Sequence, residues 1–175
     1  MLIAEIEPDD LEGGLADVYR YWLDLKGTAD IGPAWRDFDM LELPPGLLPS
    51  MLVIDVADPM TDSVYRYWGR ELSYIHGVDM TGKCPYDLTP VELGQQLLTD
   101  HTKVVQSRRP SFGHYIFETF DKYKLTHSMI RLPLSNDGMF VDNIVVITDF
   151  SENALRMIDK FRVDYREGSR RQATS

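Results

Sequence analysis

Met51-Leu52-Val53-Ile54-Asp55-Val56-Ala57-Asp58-Pro59-Met60-Thr61-Asp62-Ser63-Val64-Tyr65-Arg66-Tyr67-Trp68 is the stretch that decides the class of fold. Its two ends are rich in β-branched and aromatic residues, and Asp58-Pro59 between them is turn chemistry. The segment therefore reads as an antiparallel hairpin, with strands over Met51 to Val56 and Ser63 to Trp68. A hairpin at this point excludes an all-helical domain and poses the question of which other strands complete the sheet.

Downstream, Glu71 to His76 reads as a short helix ended by Gly77, and Val78-Asp79-Met80-Thr81-Gly82-Lys83 as loop. Thr89-Pro90-Val91-Glu92 is a capping box, with Thr89 as N-cap, and it opens a long helix to about Ser107. Beyond the breaker at Pro110 three strands follow. Phe112 to Phe120 and Tyr123 to Leu132 form a hairpin around Asp121; Asn136-Asp137-Gly138 turns into the last strand, Phe140 to Asp149. Ser151 caps a final helix whose apolar stripe is Leu155, Ile158 and Phe161, and Glu167 to Ser175 reads as a disordered tail.

Upstream, Leu11, Leu15, Val18, Tyr19, Trp22 and Leu23 recur at three- and four-residue spacing, the signature of one buried helix face. Asp9 or Asp10 supplies its N-cap and Gly27 its C-cap. Pro44-Pro45-Gly46 and Pro49 forbid regular structure up to Met51. The expected order is helix, two strands, short helices, one long helix, three strands, helix: an α+β fold with a five-stranded antiparallel sheet.

At 175 residues and 20.1 kDa the chain is one ordinary domain rather than two large ones. Its formal net charge of −10 argues against a phosphate-neutralising face, so no nucleic-acid partner is expected. Residues 151–175 break that balance with six Lys and Arg against four acids, a net of +2, so residues 1–150 carry −12. The tail is where an acidic protein partner would dock. One cysteine, Cys84, excludes an internal disulfide framework and a zinc ribbon. Met1-Leu2-Ile3-Ala4-Glu5-Ile6-Glu7 lacks the basic and apolar regions of a secretory signal, and no apolar run reaches the ~18 residues of a membrane span. The expectation is a soluble, cytoplasmic protein without membrane contact.

No Gly-x-Ser-x-Gly elbow, phosphate-cradling loop or His-Glu-x-x-His is present, so no catalytic residue and no metal site is assigned. His114 and His127 lie on the two strands of one hairpin. A turn at Phe120-Asp121 sets them directly opposite each other, whereas a turn at Asp121-Lys122 sets His114 opposite Met129. The strands carry apolar residues on both faces, as in Ile144-Val145-Val146-Ile147. One side covers the helices, and the other needs either the N-terminal helix with Trp22 or a second copy of the sheet. A homodimer is the default expectation.

Several segments in order and at matching spacing also carry a family likeness: Trp22, Arg36-Asp37-Phe38-Asp39, Leu47-Leu48-Pro49, Tyr65-Arg66 with Gly69, Gly77-Val78-Asp79-Met80-Thr81-Gly82 and Leu132-Pro133-Leu134-Ser135. Over Leu11 to Phe150 the chain resembles the PAS domain superfamily, in particular bacterial stand-alone PAS-like proteins with an N-terminal helix. Pro44-Pro45-Gly46 and the bulky Trp68 depart from the pattern. The resemblance implies an N-terminal helix and entry segment over 1–30, a PAS-like domain over 31–150, and a C-terminal helix and tail over 151–175. It implies a sensory or adaptor role in bacterial signal transduction, with a separate signalling protein as effector.

In flavin-binding photosensory PAS domains a cysteine in Gly-Arg-Asn-Cys-Arg-Phe-Leu-Gln forms a thiol adduct. Here Gly82-Lys83-Cys84-Pro85-Tyr86-Asp87-Leu88 puts the cysteine one place early and lacks the asparagine and glutamine, which disfavours flavin. Haem-binding relatives take an axial histidine from the long helix, farther ahead of the next strand than His101 stands, which disfavours haem. The cofactor stays unassigned. His101, Val105, Tyr65 and Met129 are the expected lining of a cavity between the long helix and the central strands. A small-molecule sensor is one reading. An interaction module whose interior is filled by its eight Met, three Trp, nine Tyr and seven Phe is the second. A small cone-shaped α+β enzyme acting on an apolar molecule is the third.

Overall fold

Leu52, Ile54, Ile144 and Val146 pack on one side of a sheet, while Met51, Val53, Val145 and Ile147 pack on the other, and all are buried. The doubly apolar strands thus have covered surfaces on both faces. The structure is a computed structural model, and it describes residues 2–118, 124–150, 154 and 156. Within these residues the chain is α+β. Its strands are β1 (Leu2–Glu5), β2 (Met51–Asp55), β3 (Val64–Trp68), β4 (Ser111–Glu118), β5 (Lys124–Leu134) and β6 (Asn143–Phe150). Its main helices are α1 (Gly13–Lys26), α2 (Arg70–His76) and α3 (Val91–Ser107). All pairings are antiparallel, in the order β1-β4-β5-β6-β2-β3.

The sheet has six strands rather than the expected five. The extra one, β1, is four residues long and pairs with β4, with Ala4 opposite His114 and Glu5 opposite Gly113. Such a short edge strand is held by backbone pairing and leaves little periodicity to read. At the other edge, Tyr65 N donates to Lys83 O at 2.9 Å and Gly82 N to Tyr65 O at 2.7 Å, so the loop after α2 lies along β3.

The outer face is covered by α1. Leu15, Val18 and Trp22 pack against Met51, Val53, Ile130, Leu132, Leu134, Val145 and Ile147, and Trp22 Nε1 donates to Pro133 O at 3.0 Å. The helix therefore takes the place that a second copy of the sheet would otherwise fill. It starts at Gly13, after Glu12 as N-cap, because Pro8–Asp10 forms a separate 3-10 turn and Asp9 and Asp10 belong to it. Gly27 ends it with φ 50°. Gly69 explains its place in the sequence pattern by close approach: a Cβ there would lie 2.2 Å from Pro49 O.

Three further expectations are corrected. Pro90, not Thr89, is the N-cap of α3, and no side chain caps it, since its ψ of 152° keeps it outside the helix. The strand β6 starts at Asn143 rather than Phe140, because Asp137 accepts from Met139 N at 2.7 Å and Phe140 N at 3.1 Å and holds both in the turn. In the β4–β5 ladder His114 faces Ser128 and Tyr115 faces His127, so neither expected register is realised. Opposed residues share the parity of their numbers, which a two-residue turn cannot produce. His114 and His127 consequently project from opposite faces of the sheet.

The turn around Asp121, the Ser151 cap with Leu155, Ile158 and Phe161, and the tail from Glu167 all fall outside the described residues. Ala154 and Arg156 are helical, and Ala154 is buried against the inner side. Among the described residues, no helix is long and apolar enough to cross a membrane.

Candidate functional site

The inner face of the sheet, under α2 and α3, differs from an ordinary aliphatic core in what it buries. Its apolar floor is Leu52, Ile54, Ile144 and Val146, with Val105 and Met129 packed against it and half-buried. Into this floor project Tyr65 and Trp68 from β3, His101 from α3, and Arg131 from β5, each nearly or fully buried. A strand that alternates in and out carries Arg131 to the same side as Met129, while Ile130 and Leu132 turn to α1.

Arg131 is 1% exposed. Its Nη1 donates to the Tyr115 hydroxyl at 2.5 Å, its Nη2 lies 3.5 Å from Asp100 Oδ2, and its Cζ sits 5.1 Å from the Tyr115 ring centroid. Asp100 is shared: Lys103 Nζ lies 3.1 Å and Gln96 Nε2 3.2 Å from its Oδ1. Arg131 Nε has no hydrogen-bond partner among the described residues. The same holds for the Tyr65 hydroxyl, Trp68 Nε1 and both ring nitrogens of His101. Tyr65 links these groups, its ring centroid lying 4.8 Å from that of Trp68 and 6.5 Å from that of His101.

Each such polar atom costs about 1–3 kcal/mol when it is buried without a partner. The titration of the cluster follows from this burial. Desolvation, aided by the Arg131 charge, pushes the His101 pKa down to about 3, so its imidazole is neutral. Burial pushes the Tyr65 phenol up, partly opposed by Arg131, so the hydroxyl stays protonated. His76, with its ring 5.5 Å from Trp68, and His127, stacked at 5.6 Å on Tyr115, are each lowered to about 4, chiefly by desolvation. The cluster thus offers a fixed cation, a neutral imidazole, a phenol and an indole N–H.

Of the residues expected to line a cavity, the structure brings Tyr65 and His101 together, with their rings edge to face. Val105, one turn beyond His101 on α3, and Met129, two residues before Arg131 on β5, border the same core. Arg131, Trp68 and Asp100 belong with them but carry no motif. Their signal was position: Arg131 interrupts the apolar run Met129-Ile130-Arg131-Leu132-Pro133-Leu134, where a cation on either face meets buried surface. Cys84 stands at the N-cap of the Pro85–Asp87 turn, half-buried, its backbone N–H donating to Asp87 Oδ2 at 3.1 Å. His114 lies 3.0 Å from Ser128 Oγ through its Nδ1 and is exposed. Among the described residues no group of three or more His, Cys, Asp or Glu is placed to hold a metal ion.

Two grooves open to solvent lie elsewhere. One, of about 180 Å³, is lined by residues including His114, Ser128 and Asp149; the other, of about 250 Å³, by residues of α2 and the loop after it, including Arg70, Tyr74 and Asp79. The first also touches Phe150 and the half-buried His127 at the edge of the inner face, whereas the unpartnered atoms of Arg131, Trp68, Tyr65 and His101 lie in the core, which is the candidate site.

No family model matches the chain, and no curated protein matches it. Solved structures with a similar backbone include the Vibrio cholerae VqmA dimer in the absence of target DNA, reported in connection with LuxR-type receptors. It is 11% identical, with a TM-score of 0.48 over 61% of this chain and 48% of that one. VqmA bound to DPO is 12% identical, with a TM-score of 0.48 over 60% of this chain and 54% of that one. The chain spans about half the length of these solved chains.

Proposed function

We propose that this chain is a PAS-type sensory domain of bacterial signal transduction, which takes a small molecule between its inner sheet face and α3. The observation that carries the reading is the set of buried donors on that face, Arg131, Trp68 and Tyr65 around a neutral His101. A core built only for stability uses apolar groups or gives each buried polar atom a partner, as the outer face does for Trp22 Nε1. The arrangement of two strands, a helical connection and three strands supports the PAS reading, together with the sequence segments that resemble that family.

Sensing in this reading is a population shift. A ligand that satisfies the buried donors favours one placement of α3 and of the helix containing Ala154, both of which pack on the inner face. A second copy of the chain, or a separate signalling protein, reads that placement. No residue is proposed to perform covalent chemistry, and with a net charge of −10 the chain itself is not proposed to contact nucleic acid.

Native against denaturing mass spectrometry of freshly purified protein tests the reading. A retained small molecule is the expected result. A protein that carries nothing, and whose Tm no member of a metabolite library raises, sinks it in favour of a ligandless interaction module packed by residues such as Met80, Leu88 and Trp68. An absorption spectrum of the same sample reports haem or flavin directly.

A further inference from the structure

Resting on that reading, we infer that the ligand is a small carboxylate with an apolar body, its carboxylate held by Arg131 and its body lying on the aliphatic floor of the inner face. The inference comes from counting what the buried cluster lacks. Arg131 Nε and Trp68 Nε1 can only donate, and the Tyr65 hydroxyl has a proton to give. Both His101 nitrogens also lack a partner, one a donor and one an acceptor in the neutral ring, so donors outnumber acceptors and the deficit is chiefly one of acceptors. A ligand rich in N–H or O–H groups would leave it unfilled, whereas a carboxylate brings two oxygens with about four lone-pair sites.

Charge points the same way. The guanidinium is buried, yet its one carboxylate neighbour among the described residues lies at 3.5 Å, well beyond the ~2.7–2.9 Å of a charge-assisted hydrogen bond. That carboxylate, Asp100, is closer to Lys103 than to Arg131. Arg131, Lys103 and Asp100 together leave one uncompensated positive charge at the inner face, with its buried end at Arg131. An arriving carboxylate takes up the free Nε edge, and the two-pronged geometry of the guanidinium fits it without moving the Tyr115 contact. Leu52, Ile54, Val146, Val105 and Met129 supply no polar partner, so the part of the ligand that lies on them is apolar.

Sodium benzoate and sodium hexanoate, titrated calorimetrically into the full chain after any co-purified molecule has been removed, are the probes, with benzamide as the uncharged control. At least one carboxylate is expected to bind, and benzamide to bind about tenfold more weakly or worse, the cost of exchanging a charge-assisted bond for a neutral one. Arg131→Gln is expected to abolish the difference between benzoate and benzamide. Because that variant can fail to fold, Asp100→Asn is the second test. Removing the competing carboxylate should tighten carboxylate binding several-fold and leave benzamide unchanged, which a merely structural ion pair would not do. Equal affinity for benzoate and benzamide, or weaker carboxylate binding in Asp100→Asn, overturns the inference. So does a co-purified molecule that proves neutral, and in that case the sensory reading survives. Loss of both readings requires that nothing co-purifies and that neither carboxylate nor any library compound binds.

Discussion

The two faces of one sheet have been built to different specifications. The outer face meets α1 through Leu15, Val18 and Trp22, and its buried polar atom, Trp22 Nε1, has a carbonyl partner in Pro133. The inner face buries Arg131, His101, Tyr65 and Trp68 and leaves each with at least one unpartnered nitrogen or oxygen among the described residues. Both faces draw on the same strands, with alternate residues of β2, β5 and β6 assigned to each. The contrast teaches that strand propensity and burial are not what separates structure from function here. Satisfaction of polar groups is: the outer face spends its residues on stability, and the inner face keeps hydrogen-bonding capacity in reserve.

Three measurements bear on that contrast. The largest effect belongs to the outer face. Trp22→Ala should lower the unfolding free energy by about 3–5 kcal/mol in urea near neutral pH, the cost of an emptied aromatic site in a close-packed core. A loss below about 1 kcal/mol would mean that α1 is not the stabilising cover of the sheet.

The second effect is a pH dependence of the inner face. His101 has its pKa lowered to about 3, so the folded protein does not protonate it in mild acid, while the unfolded chain takes up a proton near its ordinary value of about 6.5. Above about 6.5 neither state gains, and stability from this group is full. As the pH falls below that value the unfolded state binds more protons, and stability drops. From pH 7 to pH 5 the loss from His101 is about 2 kcal/mol, and His101→Leu should remove that part of the slope. His76 and His127, pushed down to about 4, act with the same sign over the same window, so the slope that His101→Leu removes is one part of the total. Urea midpoints at the two pH values, compared between wild type and His101→Leu, decide it: parallel losses would show that His101 is exposed to protons in the folded state.

The smallest effect is the most telling. Replacing Arg131 and Asp100 together by Met and Leu should change the stability of the ligand-free protein by about 1 kcal/mol or less, in either direction, since an apolar pair substitutes for a buried ion pair at little cost. A drop as large as that for Trp22→Ala would place the inner face in the same class as the outer one and remove the distinction.

The outer face was the more legible of the two in the sequence. Leu15, Val18 and Trp22 repeat at helical spacing, and Gly27 punctuates the end, so local rules suffice to find α1 and its buried side. Pairs of strands were legible for the same reason. What escaped were features set by partners distant in sequence. The strand β1 exists because β4 offers it an edge, and the register of β4 on β5 depends on a connection whose Phe-Asp-Lys chemistry specifies no turn type. Tyr65 and His101 could be singled out as inward-facing. Arg131 shows in the sequence only as a break in the apolar run Met129 to Leu134; which covered face it joins, and beside which partners, is set by the ladder and not by β5 alone.

The short strand β1 and the loop along β3 have a consequence for how the domain can associate. At one end of the sheet Ile6 N continues the pairing to Phe112 O at 3.2 Å, and at the other Gly82 and Lys83 occupy backbone positions of Tyr65. Each flank therefore finishes in a brief stretch of the chain's own backbone and not in a long open strand, a device that discourages templated growth. Short flanks of this kind disfavour strand addition and favour recognition through side chains on helices and loops, where specificity can be rewritten one residue at a time.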